Sequence, residues 1–264
     1  MLLPFWIDHH KHMFDEALLV NFNSTDRSVD IIRSQAPAGW KIYHWSSEFD
    51  FVRFRTEFMN NEKLYPDAWK IFLTTTEFLV HDDLSTTLMH HHMPSAFRFR
   101  SYIMIGDDSE PLVDNVPLLQ QRHVYTLAPL THEFFHGDTK TFNVSDGKIC
   151  FYSRMIHSFD SLEYTEGLHG AAKFRVDSFS AEGFIAKFAF TPWPEIIDRK
   201  LQIASRIPED YLDKGWATHH RDNLNMSRME EQMEYLLEHT GDFSKRDRVS
   251  VRGVDHRMFS RMYT

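Results

Sequence analysis

Four consecutive polar side chains, Thr74, Thr75, Thr76 and Glu77, interrupt an otherwise apolar stretch at residues 69–80 (WKIFLTTTEFLV). Hydroxyls beside a carboxylate can hydrogen-bond an anion, ligate a cation or move a proton. In an open α/β sheet they do so when a buried strand delivers them to the sheet's carboxyl edge. The alternative is a β-branched strand with one exposed glutamate. Histidine is the other conspicuous type, with 17 in the chain and clusters at His9/His10/His12, His90/His91/His92 and His219/His220. Imidazoles hold zinc when their spacing converges on one point. The first cluster has no strong ligand spacing, and one of its members is expected to pack beneath a helix. Side chains of adjacent residues such as His90 to His92 diverge in most backbone conformations, which predicts a loop there.

The elements that must position these groups read as alternating helices and strands. Leu3, Trp6, Ile7, His10 and Phe14 recur at three- and four-residue spacings and predict a helix over 2–14. Residues 17–22 predict a strand, followed by a turn and a helix capped by Thr25 or Asp26 that ends before Pro37. A strand over 40–45, a helix over 51–63 and the strand carrying the threonines complete the series. Such alternation argues for a parallel sheet with right-handed crossovers. The loops at 21–26 and 74–77 would then line one cleft.

Further along, residues 97–105 alternate apolar and basic side chains as a half-exposed strand does. Residues 106–111 form an acidic turn that lacks the spaced oxygen ligands of a calcium loop. Strands are predicted over 148–156 and 184–190, and a helix over 193–207 carries Arg199, Lys200 and Arg206. A last helix over 223–239 presents Met226, Met229, Met233, Leu236 and Leu237 as a core-facing stripe. The simplest partition is one domain over 1–222 and a helical C-terminal extension with a charged tail over 223–264.

Composition bounds the function. With 264 residues, 42% hydrophobic and 25% charged, the chain can bury a sizeable core. Its formal net charge of −9 argues against broad binding to nucleic acid. The single cysteine, Cys150, excludes a disulfide framework and fits a reducing compartment, so a cytoplasmic location is expected. No stretch approaches the roughly 20 apolar residues that span a bilayer. Acids and histidines break the first apolar run too early for a signal peptide. The basic tail, with Arg246, Arg248, Arg252 and Arg257 among its charges, is a candidate for peripheral contact with an anionic membrane surface.

Residues 2–32 (LLPFWIDHHKHMFDEALLVNFNSTDRSVDII) resemble the opening of GT-A-fold glycosyltransferases near families two and ninety-two. LTTTEFLV stands where that group has a strand followed by Asp-x-Asp-Glu-Phe. Residues 164–169 (YTEGLH), 192–202 (PWPEIIDRKLQ) and 215–219 (GWATH) resemble three later segments in the same order. The resemblance covers roughly residues 2–220 and implies a GT-A-like, Rossmann-like α/β fold with a mostly parallel central sheet flanked by helices. It also implies transfer of a sugar from a nucleotide-sugar donor to a glycan or polysaccharide acceptor. The family's two metal-side aspartates correspond to Thr74 and Thr76, and its base-binding aspartate to Asn21.

Such chemistry stabilises a diphosphate leaving group by a divalent metal or fixed cations, and an inverting enzyme adds a carboxylate base. Three readings follow from the resemblance. In one, Arg199, Lys200 and His169 neutralise the diphosphate without metal, with Asn21, Asn23, Asp26, Thr74 and Thr76 lining the donor site. In another, Glu77 with His169 or His219 holds manganese or magnesium. In the third, the fold binds carbohydrate without turnover. Candidate catalytic carboxylates are Glu77, Asp108, Glu166 and Glu182. A rival class is a metal-dependent hydrolase built on Asp8, His9 and His10 with the other histidine and acidic clusters.

Overall fold

The structure, a computed structural model, describes residues 2–45, 50–93, 95–105, 110–126, 154–165, 168, 170–173, 176, 178–209, 211, 226–237 and 240–242. Asp108, Glu166, His169 and His219 lie outside the described residues, as does the basic tail. The elements are α1 (Leu3–His10), β1 (Leu18–Asn21), α2 (Ser28–Gln35), β2 (Lys41–His44), α3 (Phe51–Glu62), β3 (Lys70–Ile71), β4 (Glu77–His81) and α4 (Leu84–Met89). They continue with β5 (Ala96–Ile103), α5 (Leu118–Gln121), β6 (Val124–Thr126), β7 (Arg154–His157), β8 (Phe179–Lys187), α6 (Ile196–Ser205), α7 (Met226–Leu237) and β9 (Thr240–Asp242).

Local chemistry sets several boundaries. Asp50 starts α3 by accepting the Arg53 N–H at 2.9 Å. Asp26 accepts the Ser28 N–H at 2.9 Å at the entrance of α2. Pro37 stops α2 by forcing Ala36 into extended backbone, with ψ 146°. The strands β1 and β2 pair in parallel around this helix, as the alternation predicts.

The third strand of the series does not join them. Strands β3, β7, β5, β8 and β4 form a separate sheet in that order, and β5 with β8 is its parallel pair; the other three pairings are antiparallel. The protein is therefore α/β with a mixed sheet, and the expectation of a mostly parallel one is corrected. The reason lies in the threonines. Residues 69–80 are two strands, not one, because the Glu77 N–H donates to the Thr74 carbonyl at 2.9 Å and turns the chain. Residues 72–76 pass from one edge of the sheet to the other. Four inter-strand spacings amount to about 19 Å, close to the full reach of six residues, so a segment that includes a turn can make the crossing only if the sheet curls.

The free edge of β4 is covered by side chains of α1. Trp6 Nε1 donates to the Glu77 carbonyl at 2.9 Å, and His9 Nε2 donates to the Leu79 carbonyl at 2.7 Å. His10 Nε2 accepts the Leu79 N–H at 3.1 Å while its Nδ1 donates to the Trp6 carbonyl at 2.9 Å. One helix thus stands in for a neighbouring strand and satisfies an edge that would otherwise pair with another chain. Burial pushes both imidazoles down from their ordinary value, His10 furthest. This is what the first histidine cluster does.

Alternate residues of the sheet feed opposite cores. Phe78, Val80, Tyr102, Phe184 and Ala186 pack with Trp6, Ile7, Leu19 and Trp40, while Leu79, Phe97, Phe99, Ile156 and Ile185 fill the other face. Helix α7 packs Met233 and Leu236 on Ile103, Ile105 and Phe190, and β9 pairs with β6. Among the described residues no helix is long and apolar enough to cross a membrane.

Candidate functional site

The parallel strands β5 and β8 finish side by side, with Ile103 opposite Lys187 and Lys187 opposite Glu77 of β4. Arg154 of β7 lies opposite Phe99 of β5. Alternation puts Phe99, Ile103, Lys187 and Glu77 on one face, so two cations and a carboxylate converge where the sheet ends. The threonine crossing runs over this end.

Glu77 is fully buried, and each carboxylate oxygen accepts two hydrogen bonds. Oε1 takes Arg154 Nη2 at 3.0 Å and Lys187 Nζ at 3.3 Å. Oε2 takes Arg154 Nε at 2.8 Å and the Thr74 N–H at 2.9 Å. A carboxylate offers about four acceptor directions, and all are used. Burial alone would raise its pKa, but Lys187, Arg154 and the two sets of hydrogen bonds overcome burial and hold it at about 2. Glu77 acts as a counter-ion in this cluster, and its hydrogen bonds speak against the expected roles of general base and metal ligand. A group that releases its proton so readily is a poor base, and its lone pairs are committed.

The remaining cations come from α6. Arg199 Nη2 donates to the exposed Thr75 hydroxyl at 3.4 Å. The Lys200 ammonium lies 3.7 Å from the centre of the Phe190 ring. Burial, then the charges of Lys187 and Arg199, lower Lys200 to about 8. Among the described residues no carboxylate pairs with Arg199 or Lys200. Two turns further on, Arg206 Nη1 reaches the Phe22 carbonyl at 3.5 Å. Seven residues of helix span about 10 Å, so α6 connects the Thr74–Glu77 turn with the loop after β1.

The other expected residues fall as follows. Thr74 and Thr76 share a hydrogen bond at 3.1 Å between their hydroxyls, and Thr76 is buried. Asn21 is buried and committed locally: its Oδ1 accepts the Ser24 N–H at 3.0 Å and its amide nitrogen lies 3.2 Å from His44 Nδ1. Asn23, with φ 47°, and Asp26 are exposed in the same turn. Glu182 is on β8 but five residues from Lys187, about 17 Å along the strand, and accepts from Thr87 Oγ1 at 2.5 Å. That spacing sets it apart from the cation cluster. His91 stacks on Phe97 at 4.5 Å. Among the described residues no three His, Cys, Asp or Glu side chains are grouped to hold a metal ion.

Arg154 and Lys187 are the site residues that sequence reasoning passes over. Lys187 has a visible signal, a lone cation in FIAKFAF, since a lysine in a buried strand requires a partner. Arg154 has none. A second buried polar group joins α3 to β7: Glu62, His157 and Tyr164 form a hydrogen-bonded triangle, with His157 Nε2 2.9 Å from Glu62 Oε1 and 2.6 Å from the Tyr164 hydroxyl. It anchors the segment whose Leu168 carbonyl accepts from Arg154 Nη1 at 3.2 Å. An open pocket of about 350 Å³ lies elsewhere, between Arg98, Thr165, Gly170 and Lys173. Among the described residues its walls carry no carboxylate or histidine, and the charge convergence marks the end of β8 as the better candidate.

No protein-family model matches the chain, and no curated protein or solved structure is significantly similar to it.

Proposed function

We propose that the protein is a glycosyltransferase that uses a nucleotide-sugar donor, with the donor diphosphate at the carboxyl ends of β5 and β8. The observation that carries this reading is the pair Arg199 and Lys200, cations without a carboxylate among the described residues, beside the exposed Thr75 hydroxyl. Arginine offers a planar fork to phosphate oxygens and lysine a point charge. The topology supports the reading, because ligands of α/β proteins gather at the carboxyl ends of parallel strands. The order of the motifs along the chain supports the choice of donor. In the reaction the bond from the anomeric carbon to the diphosphate oxygen breaks, an acceptor hydroxyl oxygen bonds to that carbon, and the hydroxyl proton passes to a base. The acceptor is a glycan or polysaccharide.

A second reading, a carbohydrate- or nucleotide-binding protein without turnover, is favoured by one specific fact. Among the described residues the carboxylate within the cluster is Glu77, whose oxygens are saturated, and Glu182 lies farther along β8. Calorimetric titration with uridine, guanosine, thymidine and cytidine diphosphate sugars, followed by product analysis with glycan acceptors, tests both. Heat with one donor and a glycosylated product is expected. Heat without product selects the binding protein. No heat with any donor, with or without manganese, overturns the donor site.

A further inference from the structure

A glycosyltransferase of the GT-A type implies a divalent metal, so the residues here must be asked whether they fit one. They do not. The positions that resemble metal-side aspartates are Thr74 and Thr76, neutral hydroxyls that hydrogen-bond each other at 3.1 Å. Hard cations select charged and carbonyl oxygens over such groups. Glu77 has both oxygens occupied, and freeing one uncovers the buried guanidinium of Arg154, which is 3% exposed. Charge argues the same way. Arg154 and Lys187 already hold the carboxylate of Glu77, and Arg199 and Lys200 add positive charge beside Lys187. A dication entering this cluster meets repulsion, whereas a dianion meets attraction.

We infer that this site, on the reading proposed above, holds the donor diphosphate without a divalent cation, Arg199 and Lys200 supplying the charge that a metal would otherwise bring. Each part has a distinct task. Arg199 is fixed by Thr75 at the mouth, and its exposed guanidinium offers the remaining N–H donors to phosphate oxygens. Lys200 lies against Phe190, and among the described residues no carboxylate pairs with its ammonium. Behind them Lys187 faces Glu77, and Arg154 holds Glu77 in place, so the carboxylate is prevented from repelling the incoming anion.

Burial and the neighbouring cations Lys187 and Arg199 hold Lys200 at about 8 in the free protein. A phosphate against the ammonium restores its affinity for the proton. Binding near pH 8 is therefore expected to draw a proton onto Lys200.

The experiment is isothermal titration of the EDTA-treated chain with inorganic pyrophosphate and with the four nucleoside diphosphates. It is repeated with manganese, and at pH 8 in two buffers of different ionisation enthalpy. The expected result is equal affinity in EDTA and in manganese, a buffer-dependent heat that reports proton uptake, and a loss of about ten-fold or more in Arg199→Ala and in Lys200→Met. Lys200→Met keeps the aliphatic packing on Phe190, and circular dichroism of both variants checks the fold. Binding of nucleoside diphosphates only in manganese overturns the inference while leaving the transferase reading standing. Binding of pyrophosphate in EDTA, with the Arg199 and Lys200 dependence but without any nucleoside diphosphate, sustains metal-free anion binding and overturns the transferase reading. No binding in either condition overturns both. Affinity unchanged in both variants overturns the assignment of Arg199 and Lys200.

Discussion

Replacing Glu77 by glutamine tests the centre of the cluster. The substitution keeps the shape and the Thr74 contact but removes the negative charge between Arg154 and Lys187. Its magnitude can be worked in two ways. The carboxyl is held at about 2 against an ordinary 4.5, a difference worth about 3 kcal/mol of folded-state preference for the charged form. Breaking a buried pair by removing one partner costs about 3–5 kcal/mol, because the other charge is stranded. The two agree, and for a chain of this length they correspond to a fall in Tm of roughly 10 °C. Thermal and urea unfolding at neutral pH measure the loss directly. The pH dependence supplies the sign check. With a depressed folded-state pKa, the contribution is complete above about 4.5 and is lost as pH falls toward about 2. The wild-type protein should therefore lose stability across that window, and Glu77→Gln should lose less. A variant within about 1 kcal/mol of wild type at pH 7, with an unchanged acid profile, would refute the argument that this carboxylate is structural.

Three further outcomes are expected. His9 and His10 are neutral in the fold because burial lowers both, so stability is complete above the unfolded-state value near 6.5 and falls as pH drops below it. The slope is at most about 1.4 kcal/mol per pH unit for each group, and His10→Gln, which cannot titrate, should flatten the urea midpoint profile between pH 6.5 and 5. Gly183→Ala should destabilise by about 1–3 kcal/mol in chemical denaturation, since a Cβ there would stand 2.7 Å from His81 Cδ2, 2.8 Å from Phe99 Cε1 and 2.9 Å from the Val80 carbonyl oxygen. Tyr164→Phe removes the hydroxyl shared by Glu62 and His157 and should cost about 1–3 kcal/mol by thermal unfolding, with little change in anion affinity.

Much of the local structure was legible in the chain. The apolar spacing of α1 and the helix over 51–63 depend on neighbours a few residues apart, which periodicity reports directly, and the alternation of strand and helix carried the parallel pair around α2. The threonine stretch was legible only as polar groups bounded by apolar runs. That pattern is common to a strand with a polar tip and to a turn between two strands, and periodicity cannot separate them.

What the sequence by itself determined, then, is composition, helix and strand content, and the gathering of hydroxyls and a carboxylate at 74–77. Tertiary structure alone decided what the carboxylate is for. Its partners are 77 and 110 residues away in the chain, brought in by strand pairings whose register no local pattern encodes. The same holds for the histidines of α1, which have donors and acceptors suited to a metal or to a strand edge. They became edge partners because the crossing at 72–76 left β4 outermost, with its N–H and C=O groups facing them.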